Sequence, residues 1–273
     1  MTVEFTKAHG NGNDFLIVDE CDLKRVEEER KSGFAARYCD RRRGIGGDGV
    51  VFLSHGDGDT DARMRLFQPD GDPVEMCGNA LRCVARFCVD RGYFGCGESF
   101  LVGTGAGERE VCWDGECATV EMGAPSFDPD DVPVRGDREI IEETVAGCVV
   151  TAVNTGVPHA VTFVNDVDAV EVEDKAPSVR GADVFPEGAN VNFVEKEDLY
   201  RVRTFERGVE GETSACGTGA VAVAAVARRL DGAGEVVRVG TRGGELVVEF
   251  EDDRAHLRGD AELVYEGKTR GRH

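Results

Sequence analysis

The chain has 273 residues and a formal net charge of −21, from 53 Asp plus Glu against 32 Lys plus Arg. That length suits one large or two ordinary domains, and the acidity argues against any partner held through phosphates, nucleic acid above all. A hydrophobic share of 41% argues against a disordered chain, and no run reaches the roughly 20 apolar residues that a bilayer crossing needs.

The opening MTVEFTKAHG is strand-like and carries no signal peptide, so a cytoplasmic protein is expected. Phe15–Val18 reads as a strand, and Lys24–Cys39 as weak helical sequence broken near Gly33. Val50–Leu53 and Met64–Phe67 are strand-like. After Cys77, Leu81, Val84, Ala85, Cys88 and Val89 form one helical stripe with Arg82 and Arg86 off it, and Gly92 as the stop. Val149–Val153, Ala160–Val164 and Val191–Val194 are further strands. After Cys216, Ala220–Ala227 is apolar on every side, predicting an enclosed helix that ends at Arg228, Arg229 and Gly232. Val236–Val239 and Glu245–Phe250 complete the strands.

Four motifs recur in the same order in the two halves. His9–Val18 pairs with Asn154–Val164, Gly44–Leu53 with Gly188–Val194, Met64–Gly71 with Val202–Gly208, and Cys77–Arg82 with Cys216–Val221. This repetition predicts an α+β fold of two pseudosymmetric domains, each a sheet wrapped around a central helix. The expected division is 1–120 plus 262–273, carrying Cys77, and 121–261, carrying Cys216.

Ten cysteines in a cytoplasmic chain point to thiols rather than a disulfide framework, and no zinc-type spacing is present. Most read as small buried hydrophobes. Cys77 and Cys216 differ, because glycine-rich turns place each at a helix N-terminus, where backbone N–H groups and the dipole stabilise a thiolate. The N–H groups of Gly78, Asn79, Gly217 and Thr218 can also hold a carboxylate. If the halves face each other, one thiolate removes a proton from one face of a carbon and the other thiol delivers one to the opposite face. A thiol-redox or non-catalytic scaffold is the reading of a different class.

The motifs HGNGNDF, RRRGIGGDG, PDGDPVEMCGNALRC, NTGVPH, FPEGANVNF and FERGVEGETSACGTG together resemble the diaminopimelate epimerase family over nearly the whole chain. The resemblance implies an active site between two domains, no pyridoxal phosphate or other cofactor, and conversion of LL- to meso-diaminopimelate in lysine biosynthesis. It implies Cys77 and Cys216 as the acid–base pair, with His159 and Glu206 orienting or activating them. Asn13, Asn190, Arg207 and Glu206 match positions that bind the distal end of the substrate. Gln68 stands where the family usually has Asn, and Val157 where some members have Asn, which bears on substrate choice. A related racemase acting on proline, hydroxyproline or histidine is the nearest alternative. The partner implied is a small molecule, and a homodimer is the default assembly.

Only six lysines are present, and aspartates cluster at Asp57, Asp59, Asp61 and at Asp128, Asp130, Asp131. Such a surface fits a halophilic cytoplasm, where molar salt shrinks the Debye length to about 3 Å and screens self-repulsion.

Overall fold

The computed structural model describes residues 2–270. They fall into two compact units: unit 1, from Met1–Val120 and Gly259–His273, and unit 2, Glu121–Arg258. Of the expected first domain, residues 1 and 271–273 lie outside the described part. Residues 259–261, grouped with the second half on sequence grounds, belong to unit 1, where Asp260 accepts hydrogen bonds from Asn11 and Arg82.

Unit 1 contains β1 (Glu4–Gly10), β2 (Asn13–Asp19), α1 (Glu28–Tyr38), β3 (Gly49–His55), β4 (Ala62–Phe67), β5 (Pro73–Val74), α2 (Gly78–Asp90), β6 (Ser99–Thr104), β7 (Gly107–Trp113) and the first half of β8 (Ala118–Gly123), whose last three residues fall in unit 2. β1 and β2 pair antiparallel, β2 and β3 parallel, β3 and β4 antiparallel, β4 and β6 parallel, and β6, β7 and β8 antiparallel; β5 is a short addition to β4. The β1–β2 turn is Asn11–Gly12, both at positive φ (51° and 80°), the Asn-Gly hairpin that follows strand twist.

Unit 2 repeats this plan. β9 (Glu143–Val145), β10 (Cys148–Asn154), β11 (Pro158–Val164), α3 (Val172–Arg180), β12 (Asn190–Lys196), β13 (Tyr200–Glu206), β14 (Gly211–Thr213), α4 (Gly217–Asp231), β15 (Val236–Thr241), β16 (Gly244–Glu251) and β17 (Arg254–Gly259) follow in order. From β10 onward, the pairing runs antiparallel, parallel, antiparallel, parallel, antiparallel, antiparallel, with β14 as the short addition to β13. Here β9 flanks β10. The last strand, β18 (Glu262–Lys268), returns to unit 1 and flanks β1.

The central strands β2, β3 and β12 are buried on both faces, whereas β6 to β8 and β15 to β17 alternate buried residues with more exposed ones. In unit 1, Leu16, Val18, Val50 and Phe52 join a cluster with Ala35 of α1, whereas Phe15, Ile17 and Val51 are equally buried on the other face. In unit 2, Val191 and Phe193 pack with Val172, Ala176 and Val179 of α3. The second helix of each unit lies in the curl of its sheet: α2 touches β1, β2, β4, β7 and β18, and α4 touches β10 to β13, β15 and β16.

Three expectations need revision. α1 is not broken at Gly33, because a single exposed glycine weakens a helix by about 1 kcal/mol without ending it. α3 has no counterpart in the sequence reading; it is short and has Pro177 inside it. α2 is not a one-stripe helix: it is buried on all sides from Gly78 to Ala85, and Arg82, expected to lie off the stripe, is fully buried. A sheet that wraps a helix leaves no outer face. α4 is enclosed as expected, with Gly232 closing it at φ 63° and Arg228 lying over the Phe250 ring at 4.2 Å.

Candidate active site

Each unit builds one cluster of predicted site residues at the mouth of its enclosed helix. In unit 1, Cys77 is the N-cap of α2 in extended conformation, and its Sγ lies 3.9 Å from Asn13 Oδ1. Asn13 opens β2 immediately after the Asn11–Gly12 turn, which aims its side chain at that mouth. Asn79 Nδ2 donates to Asn13 Oδ1 at 3.1 Å, and Asn13 Nδ2 donates to Asp48 Oδ2 at 2.8 Å. Asp48 also accepts from the Asp14 backbone N–H and from Arg41. Asp14 is half-buried; burial pushes its carboxyl up, but hydrogen bonds from Arg41 and Lys7 outweigh this and hold it well below the usual range. Gly78 is buried, and Gln68 sits at the turn after β4, where its backbone N–H donates to Asp72 O.

In unit 2, Cys216 is the N-cap of α4, and its sulfur accepts from the Gly219 N–H at 3.3 Å and lies 3.3 Å from Thr218 Oγ1. Thr155 Oγ1 donates to Thr218 O. Gly217 and Gly219 are buried, and a Cβ on Gly219 would come 2.8 Å from Asn192 Oδ1 and 3.3 Å from Cys216 Sγ. Glycine there lets the helix start directly against β12.

His159 is fully buried beneath this mouth. Asn190 Nδ2 is 3.3 Å from its Nε2, and Asn192 Nδ2 is 2.9 Å from its Nδ1. Asn192 Oδ1 in turn accepts from Thr204 at 2.9 Å. Burial, reinforced by the charge of Arg207, pushes the His159 pKa down from 6.5 to about 3, so the ring is neutral. Asn190 Oδ1 accepts from the Arg207 backbone N–H at 2.7 Å, and the Arg207 guanidinium donates to Glu187 O at 3.0 Å. Glu206 ends β13 and its carboxylate accepts from Thr213 Oγ1.

Asn13, Asn79 and Cys77 are thus joined in unit 1, as are His159, Asn190 and Arg207 in unit 2. Three participants were missed. These are Asp48 and Asn192, which have no assigned role in the sequence reading, and Arg82, whose place off the apolar stripe of α2 suggests an outward charge. Asn192 had a readable signal: it is two residues from Asn190 on a strand, hence on the same face.

The four helices among the described residues differ at their N-termini. α1 begins with Glu28 and Glu29, and α3 carries Glu173 and Asp174 in its first turn, which offsets the positive end of the dipole. α2 and α4 have no acidic residue in their first turns. Their N–H groups present uncompensated positive potential beside a thiol, suited to an external carboxylate.

The family model described as diaminopimelate epimerase matches residues 5–127 and 151–269. A diaminopimelate epimerase of Methanothrix thermoacetophila is 48% identical over 97% of this chain and 95% of that protein. One of Methanocella arvoryzae is 49% identical over 97% of this chain and 96% of that protein. Among solved structures, a PhzF-family phenazine biosynthesis protein of Bacillus anthracis superposes with a TM-score of 0.72 at 18% identity, covering 99% of each chain. That degree of likeness speaks to the fold.

Proposed function

The chain belongs to the diaminopimelate epimerase family, and we propose that it is an isomerase interconverting LL- and meso-diaminopimelate in lysine biosynthesis, with Cys77 and Cys216 as its two acid–base groups. The observation that carries this is the duplicated placement of a cysteine as N-cap of an enclosed helix whose first turn has no acidic residue.

In this reading the substrate α-carboxylate is held by first-turn N–H groups of Gly78, Asn79, Gly217 and Thr218, whose fixed dipoles stabilise the charge that builds up as the α-proton leaves. One thiolate takes that proton, breaking the C–H bond and leaving its electron pair delocalised toward the carboxylate. The other thiol gives its S–H proton to the opposite face, and the configuration inverts. Reversing the direction exchanges the two roles.

The neutral, buried His159 acts by position, holding Asn190 and Asn192 beneath Cys216. Asn13, Gln68, Asn190, Glu206 and Arg207 recognise the distal amino acid group: Arg207 suits a carboxylate and Glu206 an ammonium. Gln68 keeps an amide on a longer stem, and Val157 removes one polar contact, so distal recognition leans on the remaining groups. No helix among the described residues is long and apolar enough to cross a membrane, and the acidic, lysine-poor composition supports a cytoplasm of high salt as its setting.

The test is incubation with LL-diaminopimelate in deuterated water, following α-deuterium in both isomers. The native chain is expected to label both. Cys77→Ala and Cys216→Ala should each abolish turnover, and undiminished turnover in either variant would overturn the two-thiol mechanism.

A further inference from the structure

At the mouth of α2, hydrogen bonds run in one direction that is set at both ends. Arg82 is fully buried, and a guanidinium can only donate. Its Nη2 donates to Asn79 Oδ1 at 3.0 Å and to Asn11 Oδ1 at 2.7 Å, and its Nε donates to Asp260 O at 3.2 Å. With its oxygen engaged, Asn79 turns its Nδ2 to Asn13 Oδ1. At the far end the Asp48 carboxylate, which can only accept when ionised, takes Asn13 Nδ2. Two neutral amides in series could both flip and keep their mutual bond. Here, flipping would set an NH2 against the guanidinium and a carbonyl against the carboxylate, so each amide has one orientation. Asn13 therefore faces Cys77 Sγ with its oxygen.

We propose that Arg82 is a positioning residue for Cys77: with Asp48 it locks the Asn79–Asn13 amide pair so that a carbonyl oxygen, and not an N–H, meets the thiol, while its own buried positive charge favours the thiolate. This role presupposes the acid–base function of Cys77 given above. Stability alone does not account for Arg82. Its Nη1 is buried without a hydrogen-bond partner among the described residues, so the guanidinium carries a desolvation cost that its three acceptors do not fully offset. The position is nonetheless shaped for it, since a Cβ on Gly10 would come 2.9 Å from Nη2. Besides Cys77, the ionisable groups whose charge reaches the guanidinium are Cys83, Asp260 and Cys117.

The two ends predict opposite effects on the thiol. Arg82→Met removes the cation, and alkylation of Cys77 by iodoacetamide at about pH 8 should slow about threefold to tenfold, as for loss of a neighbouring opposite charge. Arg82→Lys, which keeps a donor-only cation, should recover most of that rate. Asp48→Asn removes a negative charge, so alkylation should quicken, while Asn79, still held by Arg82, keeps the Asn13 oxygen toward sulfur. In both Arg82→Met and Asp48→Asn, kcat should fall by about tenfold or more with KM moving much less.

Alkylation is read at the Cys77 peptide by mass spectrometry in the full chain, with circular dichroism and melting confirming the fold. A folded Arg82→Met with native alkylation and kcat would overturn the proposal, as would a shift of the same sign in both variants. If Arg82→Met does not fold, Arg82→Gln, which keeps polar contacts without the charge, decides: slowed alkylation with lowered kcat supports the role, and native values of both end it. If Cys77→Ala keeps full turnover, the proposed function fails, whereas the alkylation signs still judge the lock.

Discussion

Acidification from about pH 7 to about pH 5 tests the buried imidazole of unit 2. His159 is enclosed between two amides, and its pKa falls from 6.5 to about 3. The folded state therefore keeps the ring neutral while the unfolded chain takes up a proton below pH 6.5. The contribution is fully present above the unfolded value, declines as pH falls through the window between the two values, and is gone below the folded one. At about pH 5 the unfolded histidine lies about 1.5 units below its midpoint and the folded one is still neutral. At about 1.36 kcal/mol per unit this costs about 2 kcal/mol of stability.

Other groups titrate over this range, so the measurement is a difference. Urea unfolding is followed at both pH values for the native chain and for His159→Gln, which cannot titrate. The native chain should lose about 2 kcal/mol more than the variant between the two conditions. Equal losses would show that His159 ionises freely in the fold, and the network through Asn190, Asn192 and Thr204 would have to be redrawn.

Three further outcomes are expected. Gly219→Ala places a Cβ 2.8 Å from Asn192 Oδ1, an atom held by Thr204; urea unfolding should show a loss of about 1–3 kcal/mol, and a neutral result would mean the amide can yield. Lys31 and Glu20 form a buried ion pair at 2.7 Å, Lys31 also lies 3.4 Å from Glu28, and Glu20 also accepts the Arg25 and Val26 N–H groups; because Glu28 stays with Lys31, Glu20→Ala should cost about 3 kcal/mol by the same assay, the low end for a broken buried pair, whereas a loss under about 1 kcal/mol would place the pair among weak surface bridges. Transfer from molar to low salt should loosen the fold through self-repulsion of the −21 charge, seen as lost circular dichroism; an unchanged spectrum would refute the halophilic reading.

The duplication was legible because it left ordered motifs: a glycine turn before a strand, and a cysteine before each enclosed helix. The all-apolar run at Ala220–Ala227 announced enclosure directly. α2 hid the same situation, because Arg82 among apolar residues imitates an amphipathic helix, and its acceptors Asn11 and Asp260 are remote in sequence. His159 was singled out, but its environment was not, since Asn192 lies 33 residues away. Pair register shows where the halves diverged. Phe15 faces Gly49 as His159 faces Asn190, so one copy is apolar where the other carries a polar network, a difference that motif matching does not show.

The return of β18 to β1 bears on the order of assembly during synthesis. Unit 2 is continuous in the chain, whereas unit 1 needs residues made before unit 2 and residues made after it. As the ribosome works toward the C-terminus, every segment of unit 2 emerges before β1 can gain its outer neighbour. Asp260, whose carbonyl receives Arg82 and whose carboxylate receives the Asn11 N–H, belongs to that late segment. The Cys77 half-site, encoded before unit 2, is thus finished only when the segment that follows unit 2 arrives.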